Sequence, residues 1–494
     1  MGELTVKTFN GAKWSLAGNV TTALVSFIVG IVLARILSVE QYGFLGMIAI
    51  FIAISNAFID SGFSNALIRK KEVSEKDYNT IFYFNIAISF LSFILLFFLA
   101  VPIAHFYNQP LLVPVTRVFA ITLIINALGL VQVVVFTRRV DFKTQAWVNI
   151  ISTLFGGIIA IFLALKGFGV WSLVWQQIIK QSINTLLIWI FCSWRPVSPF
   201  SHDAFSRESF KDLFGFGSKL LASGLLGTLF DNAAYIIIGK VYSPTQLGLY
   251  TRGEQFPNFL STNFSYAVQR ATFPTLSTMQ DDKSRLKGAF VRVFRSVLLV
   301  SVSLCLFLAA IAKPLIISLL GVKWGGSVIY LQLLCFIAVF FPLHAINLNV
   351  LQVKGRSDWI LGAEFIKRGM SVIPIVIGIF VSIKAMLIAM IVVSILSLYV
   401  NCWCENKLLG YSFWEEMRDF LPVFGIAFLI ALIILCVQFL PVNCYIQLAI
   451  QVTGGCALFH FIYTWIKQPQ YIELKELALS YLKKNNNNEK FEQE

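Results

Sequence analysis

Lys180 sits at the centre of the apolar stretch VWSLVWQQIIKQSINTLLIWIF, with Gln177, Gln181 and Asn184 within about a turn of it. Asp231 and Asn232 interrupt a second apolar stretch, with Thr228 and Tyr235 close on either side. A third carries Asn56, Asp60, Ser64 and Asn65, and a fourth carries Asn258, Ser261, Thr262, Ser265 and Gln269; in a helix each set falls on one face. His344, Asn347 and Asn349 cluster in a fifth. Amides and hydroxyls of this kind hydrogen-bond polyols, while Lys as a point charge and Arg as a bidentate donor suit phosphate. Lys13, Arg35, Lys219, Lys240, Arg252 and Arg270 add cations near the ends of apolar stretches. Each feature also has a plain structural reading. Buried amides and hydroxyls hold helices together, and basic residues at helix ends snorkel toward water. An ionised group amid such apolar sequence costs several kcal/mol. Lys180 and Asp231 would therefore either pair with each other or face a wet cavity that holds an anion.

The elements that must position these residues are long and apolar. Of the 494 residues, 57 % are hydrophobic and 13 % charged, with a mean hydropathy of +0.77. A soluble domain carries roughly 25 % charged residues, so this chain has too little polar surface for a water-soluble globule. Apolar runs long enough to cross a bilayer recur from end to end. They predict about fourteen transmembrane helices, at 14–37, 44–68, 81–104, 113–136, 146–165, 170–191, 214–241, 249–273, 289–311, 328–350, 359–380, 385–401, 420–439 and 445–465. The net charge of +14 lies mostly in short gaps between the runs, which argues for membrane orientation rather than a nucleic-acid partner. With the N-terminus inside, the inner segments include 69–76, 137–143 and 281–287 and hold roughly two dozen Lys and Arg, against about five outside. Both termini are then cytoplasmic. The N-terminus runs into the first apolar stretch without a cleavage motif, and the tail KKNNNNEKFEQE reads as disordered. The eight cysteines fall mostly within helices, where they behave as small hydrophobes, and Cys402-x-Cys404 lacks the partner ligands of a metal site. The gap after 289–311, KPLIISLLGVKWGGSV, is too apolar for a plain loop and too short to span, and Pro257 predicts a kink in its helix.

The two halves resemble each other at an offset of 205 residues. Phe9 falls on Phe214, Arg35 on Lys240, Ser38 on Ser243, Gln41 on Gln246 and Gly43 on Gly248. Asn56, Asp60 and Asn65 fall on Ser261, Ser265 and Arg270. The matched turn residues, more than the apolar ones, identify a repeat. They predict an N-lobe of six helices over 1–191, a cytoplasmic linker over 192–213 and a C-lobe of six helices over 214–401. Two further helices in 402–466 and a tail over 467–494 complete the chain. Parallel repeats of this kind in transporters place the substrate between the lobes.

Five motifs carry a resemblance: SGFSNALIRKKEVSEKDYNTIFYFN (61–85), FTRRVDFK (136–143), GFGVWSLVWQQ (167–177), FDNAAYIIIGKVYSPTQLGLY (230–250) and FPTLSTMQDD (273–282). They resemble the polysaccharide-transporter branch of the MOP exporter superfamily, in register over the first twelve predicted helices. Phe230 stands where that family usually has Leu before Asp-Asn. The resemblance implies an all-α membrane protein with the MOP flippase fold. It implies flipping of an undecaprenyl-diphosphate-linked oligosaccharide across the bacterial inner membrane by alternating access, for O-antigen, capsule or exopolysaccharide. Membrane lipid, a polysaccharide polymerase and export machinery would be its partners. It would need no cofactor beyond a coupling ion, H+ or Na+. The candidate cavity residues are Lys180, Arg252, Arg35, Lys240, Arg270, Asp231, Asn232, Asp60, Asn56, Gln177, Asn184 and Gln269. A cation-coupled drug antiporter of the same superfamily is an alternative, with Asp60, Asp231 and Glu364 as cation ligands. A membrane polysaccharide polymerase is a weaker one: the outer loops are short, and no G-x-x-x-x-G-K-[ST], H-E-x-x-H or G-x-S-x-G motif occurs.

Overall fold

A computed structural model of the chain describes residues 2–60, 62–198, 204–476 and 479–480. The end of the tail, expected to be disordered, lies outside the described residues, as do residues 199–203 of the expected linker. The described residues are helical throughout, with no strand. This follows from the composition: a chain immersed in hydrocarbon must satisfy every backbone N–H and C=O internally, and a helix does so within one segment.

By close packing the chain divides into residues 1–248 and 249–494. The first unit contains α1 (Gly2–Ile36), α2 (Val39–Asp60), α3 (Phe63–Arg69), α4 (Glu75–Tyr107), α5 (Leu112–Phe119), α6 (Ile121–Arg138) and α7 (Phe142–Leu165). It continues with α8 (Val170–Phe191), α9 (Arg207–Asp231), α10 (Ala233–Ile237), a π turn at Ile238–Tyr242 and the first turn of α11 (Pro244–Ser277). The second unit contains the rest of α11, then α12 (Lys283–Ala310), α13 (Ala312–Leu320), α14 (Ser327–Ala338), α15 (Phe340–Val353), α16 (Ser357–Met370) and α17 (Val372–Phe380). It ends with α18 (Ile383–Leu409), α19 (Phe413–Cys436) and α20 (Cys444–Trp465).

Ten helical segments among the described residues are long and apolar enough to cross a membrane, and Leu221–Asp231 with Ala233–Tyr242, bent by 46°, makes an eleventh. Side chains such as Phe98 and Leu165, each 70 % exposed, and Phe380, 80 % exposed, suit lipid rather than water. The chain is a multi-pass membrane protein. The three remaining expected spans are helical but fall outside that group. α8 and α11 have the length, at 22 and 34 residues, and fall short on composition because they carry Lys180 and the Asn258–Gln269 stripe. The third is broken into α16 and α17 at Ser371. α11 runs as one helix through Pro257 and Pro274. The apolar gap after α12 forms α13, which at nine residues is about 13 Å long, too short to span.

At one end of the first unit, Arg138, the last residue of α6, holds the end of α3. Its guanidinium donates to the carbonyls of Leu67 (2.6 Å), Ile68 (3.3 Å), Lys70 (2.6 Å) and Lys71 (3.2 Å), satisfying groups that the end of α3 leaves open. Arg139 donates to Ser193 (2.7 Å), and the Trp194 indole donates to Glu75 (2.7 Å). The backbone N–H groups of Val197 and Ser206 donate to Asn79 (3.2 Å) and Thr80 (2.9 Å), so the described linker residues are strapped to the start of α4. Lys70 pairs with Asp77 (3.0 Å) and Asp212 (3.3 Å). Burial works against its charge, but Asp77 and then Asp212 hold its ammonium above the usual lysine range. The basic segments 69–76 and 137–143 thus share one end of the unit, as alternating loops require.

At the opposite end the repeat becomes visible as geometry. Ser38 caps α2: its hydroxyl accepts from the Gln41 N–H (3.4 Å), while the Gln41 side chain accepts from the Ser38 N–H (3.0 Å). Ser243 likewise accepts from the Gln246 N–H (3.1 Å) at the start of α11. The two helix starts cross in contact. A Cβ on Gly43 would fall inside the carbonyl of Pro244, and a Cβ on Gly248 inside the carbonyl of Val39. Val39 and Pro244 are themselves separated by the offset that relates Gly43 to Gly248. The contact is therefore symmetric under the internal repeat, and only glycine lets the backbones approach so closely.

Two predictions follow from this packing. Arg138→Met should cost about 2 kcal/mol of stability in detergent, the scale of hydrogen bonds to a charged group; an unchanged melting temperature would show that the α3 carbonyls do not need it. Gly43→Ala and Gly248→Ala should each cost about 1–3 kcal/mol by overpacking. Separating the two helices once relieves both clashes, so the double variant should cost little more than either single one. Additive costs would show that the two contacts are independent.

Candidate functional site

Four helices of the first unit turn polar side chains toward one another. The Gln181 amide on α8 donates to Asn126 on α6 (3.0 Å), and Asn126 donates to Asn56 on α2 (2.9 Å). Asn184 donates to Asn149 on α7 (2.8 Å), and Thr185 donates to the Ile125 carbonyl (2.9 Å). Asn56 and Asn184 therefore act as interhelical glue in this structure. Their partners Asn126 and Asn149 escaped the sequence reading because each is a lone amide in an apolar run. Gln177 is exposed on the same helix as Lys180.

Lys180 is half-buried at the middle of α8, where α7 passes so close that a Cβ on Gly156 would meet the Lys180 Cβ and the Gln176 carbonyl. Among the described residues no carboxylate reaches it. The ion pair with Asp231 does not form.

Both acidic positions of this unit's polar stretches lie at helix breaks. Asp60 is the last residue of α2, followed by Gly62 in the left-handed region (φ 70°), and it accepts the Ser64 hydroxyl from α3. Asp231 is the last residue of α9, exposed, and Asn232 at the bend donates to the Thr228 carbonyl (2.9 Å). A carboxylate at the negative end of a helix is unfavourable unless a cation or donor offsets it, and discontinuous helices mark substrate and ion sites in transporters. Arg35 and Lys240 are both exposed at the end of the unit that holds the glycine crossing. Lys240 donates to the Phe106 carbonyl and stands 4.7 Å from that ring's centroid.

In the second unit Arg252 is half-buried; it donates to Gln255 and its guanidinium carbon lies 5.9 Å from the centroid of the buried Trp324. Ser265 donates to the Ser261 carbonyl (2.7 Å), and Gln269 is half-buried while Arg270 is exposed. Asn349 donates to Thr272 (2.8 Å), tying α15 to α11, and Asn401 bonds His344 (3.0 Å), tying α18 to α15. Glu364 is paired on its own helix with Lys367 and, at 3.9 Å, with Arg368. As a ligand for an exogenous cation it is already occupied. Arg138 reads in the sequence only as a basic loop residue; its signal is an Arg two residues past the end of the apolar run 113–136.

Comparison with known proteins matches these features to a family. The model of a family described as polysaccharide biosynthesis protein matches residues 32–329, more than half of the chain. The teichuronic acid biosynthesis protein TuaB of Bacillus subtilis is 25 % identical over 361 residues, covering 72 % of this chain and 74 % of that protein. The lipopolysaccharide biosynthesis protein WzxC of Escherichia coli is 23 % identical over 372 residues, covering 75 % of each. Among solved structures, the lipid II flippase MurJ in an inward closed conformation superposes with a TM-score of 0.72 at 12 % identity, covering 91 % of this chain and 98 % of that one. A multidrug resistance MATE transporter of the MOP superfamily superposes with a TM-score of 0.61 at 15 % identity, covering 79 % and 96 %. The chain belongs to the polysaccharide biosynthesis protein family, and it shares its fold with MurJ and with a MATE transporter.

Proposed function

We propose that this chain is a flippase that carries an undecaprenyl-diphosphate-linked oligosaccharide across the bacterial inner membrane by alternating access, for a surface polysaccharide. The observation that carries the reading is Lys180: a half-buried ammonium at mid-helix with no carboxylate to pair it. A buried cation without a partner is costly, and the diphosphate of a lipid-linked sugar is the anion that would offset it. Gln177, the exposed amide one turn before Lys180 on α8, suits a sugar hydroxyl. The helices that fall short of full apolarity, α8 and α11, are those that carry the polar stripes, as expected of helices facing water rather than lipid. The names of TuaB and WzxC place those relatives in surface-polysaccharide biosynthesis, and a related protein of Rhizobium meliloti, 24 % identical, is named a succinoglycan biosynthesis transport protein.

In this reading the chain has fourteen spans, built as two six-helix lobes over 1–191 and 214–401 with two additional helices, and both termini are cytoplasmic. The C-terminal tail is cytoplasmic as well. It is a transporter and not an enzyme; a polymerase and the export machinery would act on what it delivers. The coupling ion, H+ or Na+, would meet the carboxylates at the helix breaks, Asp60 and Asp231. A drug antiporter is less well supported, because Glu364, one of the three acids it would use, is neutralised by Lys367 and Arg368.

In a strain lacking this gene, Lys180→Gln should lower surface polysaccharide roughly tenfold or more at normal membrane abundance, and Lys180→Arg should retain most of it, since one charge-assisted hydrogen bond is worth about 1.5–3 kcal/mol. Full surface polymer from the Gln variant would remove Lys180 from the mechanism. Expression in a drug-sensitive host should leave resistance to cationic dyes unchanged; a clear gain in resistance, lost on Asp231→Asn, would favour the antiporter.

A further inference from the structure

The second unit holds a pair of buried acids that the flippase reading does not use. The sequence places Glu405 and Glu416 in a loop between expected spans 385–401 and 420–439. In the structure α18 continues to Leu409 and α19 begins at Phe413, so both glutamates lie on helices. A capping box starts α19: Ser412 accepts from the Glu415 N–H (3.3 Å), and the Glu415 side chain accepts from the Ser412 N–H (2.6 Å). This turn folds the two helices back so that the Glu405 carboxyl stands beside that of Glu416. Both residues are 0 % exposed.

Glu416 accepts one hydrogen bond, from the Cys402 thiol (2.6 Å); its other oxygen is buried without a partner. Glu405 lies near the C-terminal end of α18, where the helix dipole is negative, and its carboxyl has no partner apart from that of Glu416. The cations of the surrounding helices are committed elsewhere or, like Arg418 on α19, exposed. Arg295 on α12 pairs with Asp419 (2.7 Å), which also accepts from Tyr411 (2.5 Å). Lys287 donates to the Gly410 carbonyl (2.5 Å) and lies 3.9 Å from Glu415. Lys407 stacks on Trp403 at 3.7 Å, and Lys367 on α16 pairs with Glu364. His344 on α15 bonds Asn401, one turn before Glu405. The remaining titratable neighbours of the pair, Cys402, Cys404 and Asp419, supply no positive charge.

We infer that Glu405 and Glu416 form a binding site for a small cation, H+ or Na+. Two adjacent carboxyls out of water cannot both stay charged and empty: they must share a proton or hold a metal cation between their unpartnered oxygens. Sodium would be coordinated by oxygen alone, and three carboxyl oxygens here accept no hydrogen bond from outside the pair. This site is independent of the flippase reading, which places its coupling ion at Asp60 and Asp231.

Infrared difference spectroscopy of the full chain in lipid vesicles tests this directly. Exchange from acidic to alkaline buffer should remove a protonated-carboxyl stretching band that is absent from the Glu405→Gln/Glu416→Gln variant. If Na+ binds, adding NaCl at fixed acidic pH should remove the same band while KCl leaves it; if NaCl has no effect, the cation is the proton. The single Gln variants, checked for monodispersity, cover a double variant that fails to fold. A wild-type spectrum that matches the Gln variants, or a carboxyl band that neither pH nor Na+ moves, overturns the site. Polysaccharide export by Lys180 variants is a separate readout, so either result can fail while the other stands.

Discussion

Hydrocarbon offers no partner to a polar group, and every polar atom placed in it must be satisfied by the protein or by water that the protein admits. That constraint organises this structure. It makes the regular structure of the described residues all helical, and it explains why the amides of the first unit form a connected chain, Gln181 to Asn126 to Asn56, rather than scattering. It also explains why Arg138 reaches four backbone carbonyls at the end of α3. Where the protein leaves a charge unsatisfied, as at Lys180 and at the Glu405–Glu416 pair, the same constraint demands that something else arrive.

A second requirement is imposed by shape. The starts of α2 and α11 meet at Gly43 and Gly248, each against the backbone of the other helix, and the contact is its own image under the internal repeat. The repeat is thus more than similarity of composition: the serine caps, the glycines and their contacts all recur with it. Close backbone approach through small residues is a common means of joining helices where lipid supplies no hydrophobic drive.

Function is argued from the balance of charge inside the membrane. Acids that would serve a cation exporter are partly neutralised, as Glu364 is by Lys367 and Arg368, whereas Lys180 is not. In the proposed reading, an anionic headgroup would offset the unpaired cation. The fold shared with MurJ and with MATE transporters accommodates either kind of cargo, so the fold alone does not choose between them.

Periodicity and composition placed the helical stretches but not their number as spans: ten, or eleven with the bent pair, are long and apolar enough to cross a membrane among the described residues. The offset of 205 residues and the polar faces of α8 and α11 were likewise legible, because each is a local pattern of residue types. What each polar side chain does was decided only by tertiary structure. Asn56 and Asn184 find partners on other helices, Lys180 does not meet Asp231, and Asp60 and Asp231 stand at breaks that no hydropathy pattern marks. Glu405 and Glu416 looked like loop residues because hydropathy ends a span where charge begins, whereas α18 and α19 continue past it. A polar residue in an apolar run must be satisfied, but its partner lies on another helix far away in sequence, and only the packing brings the two together.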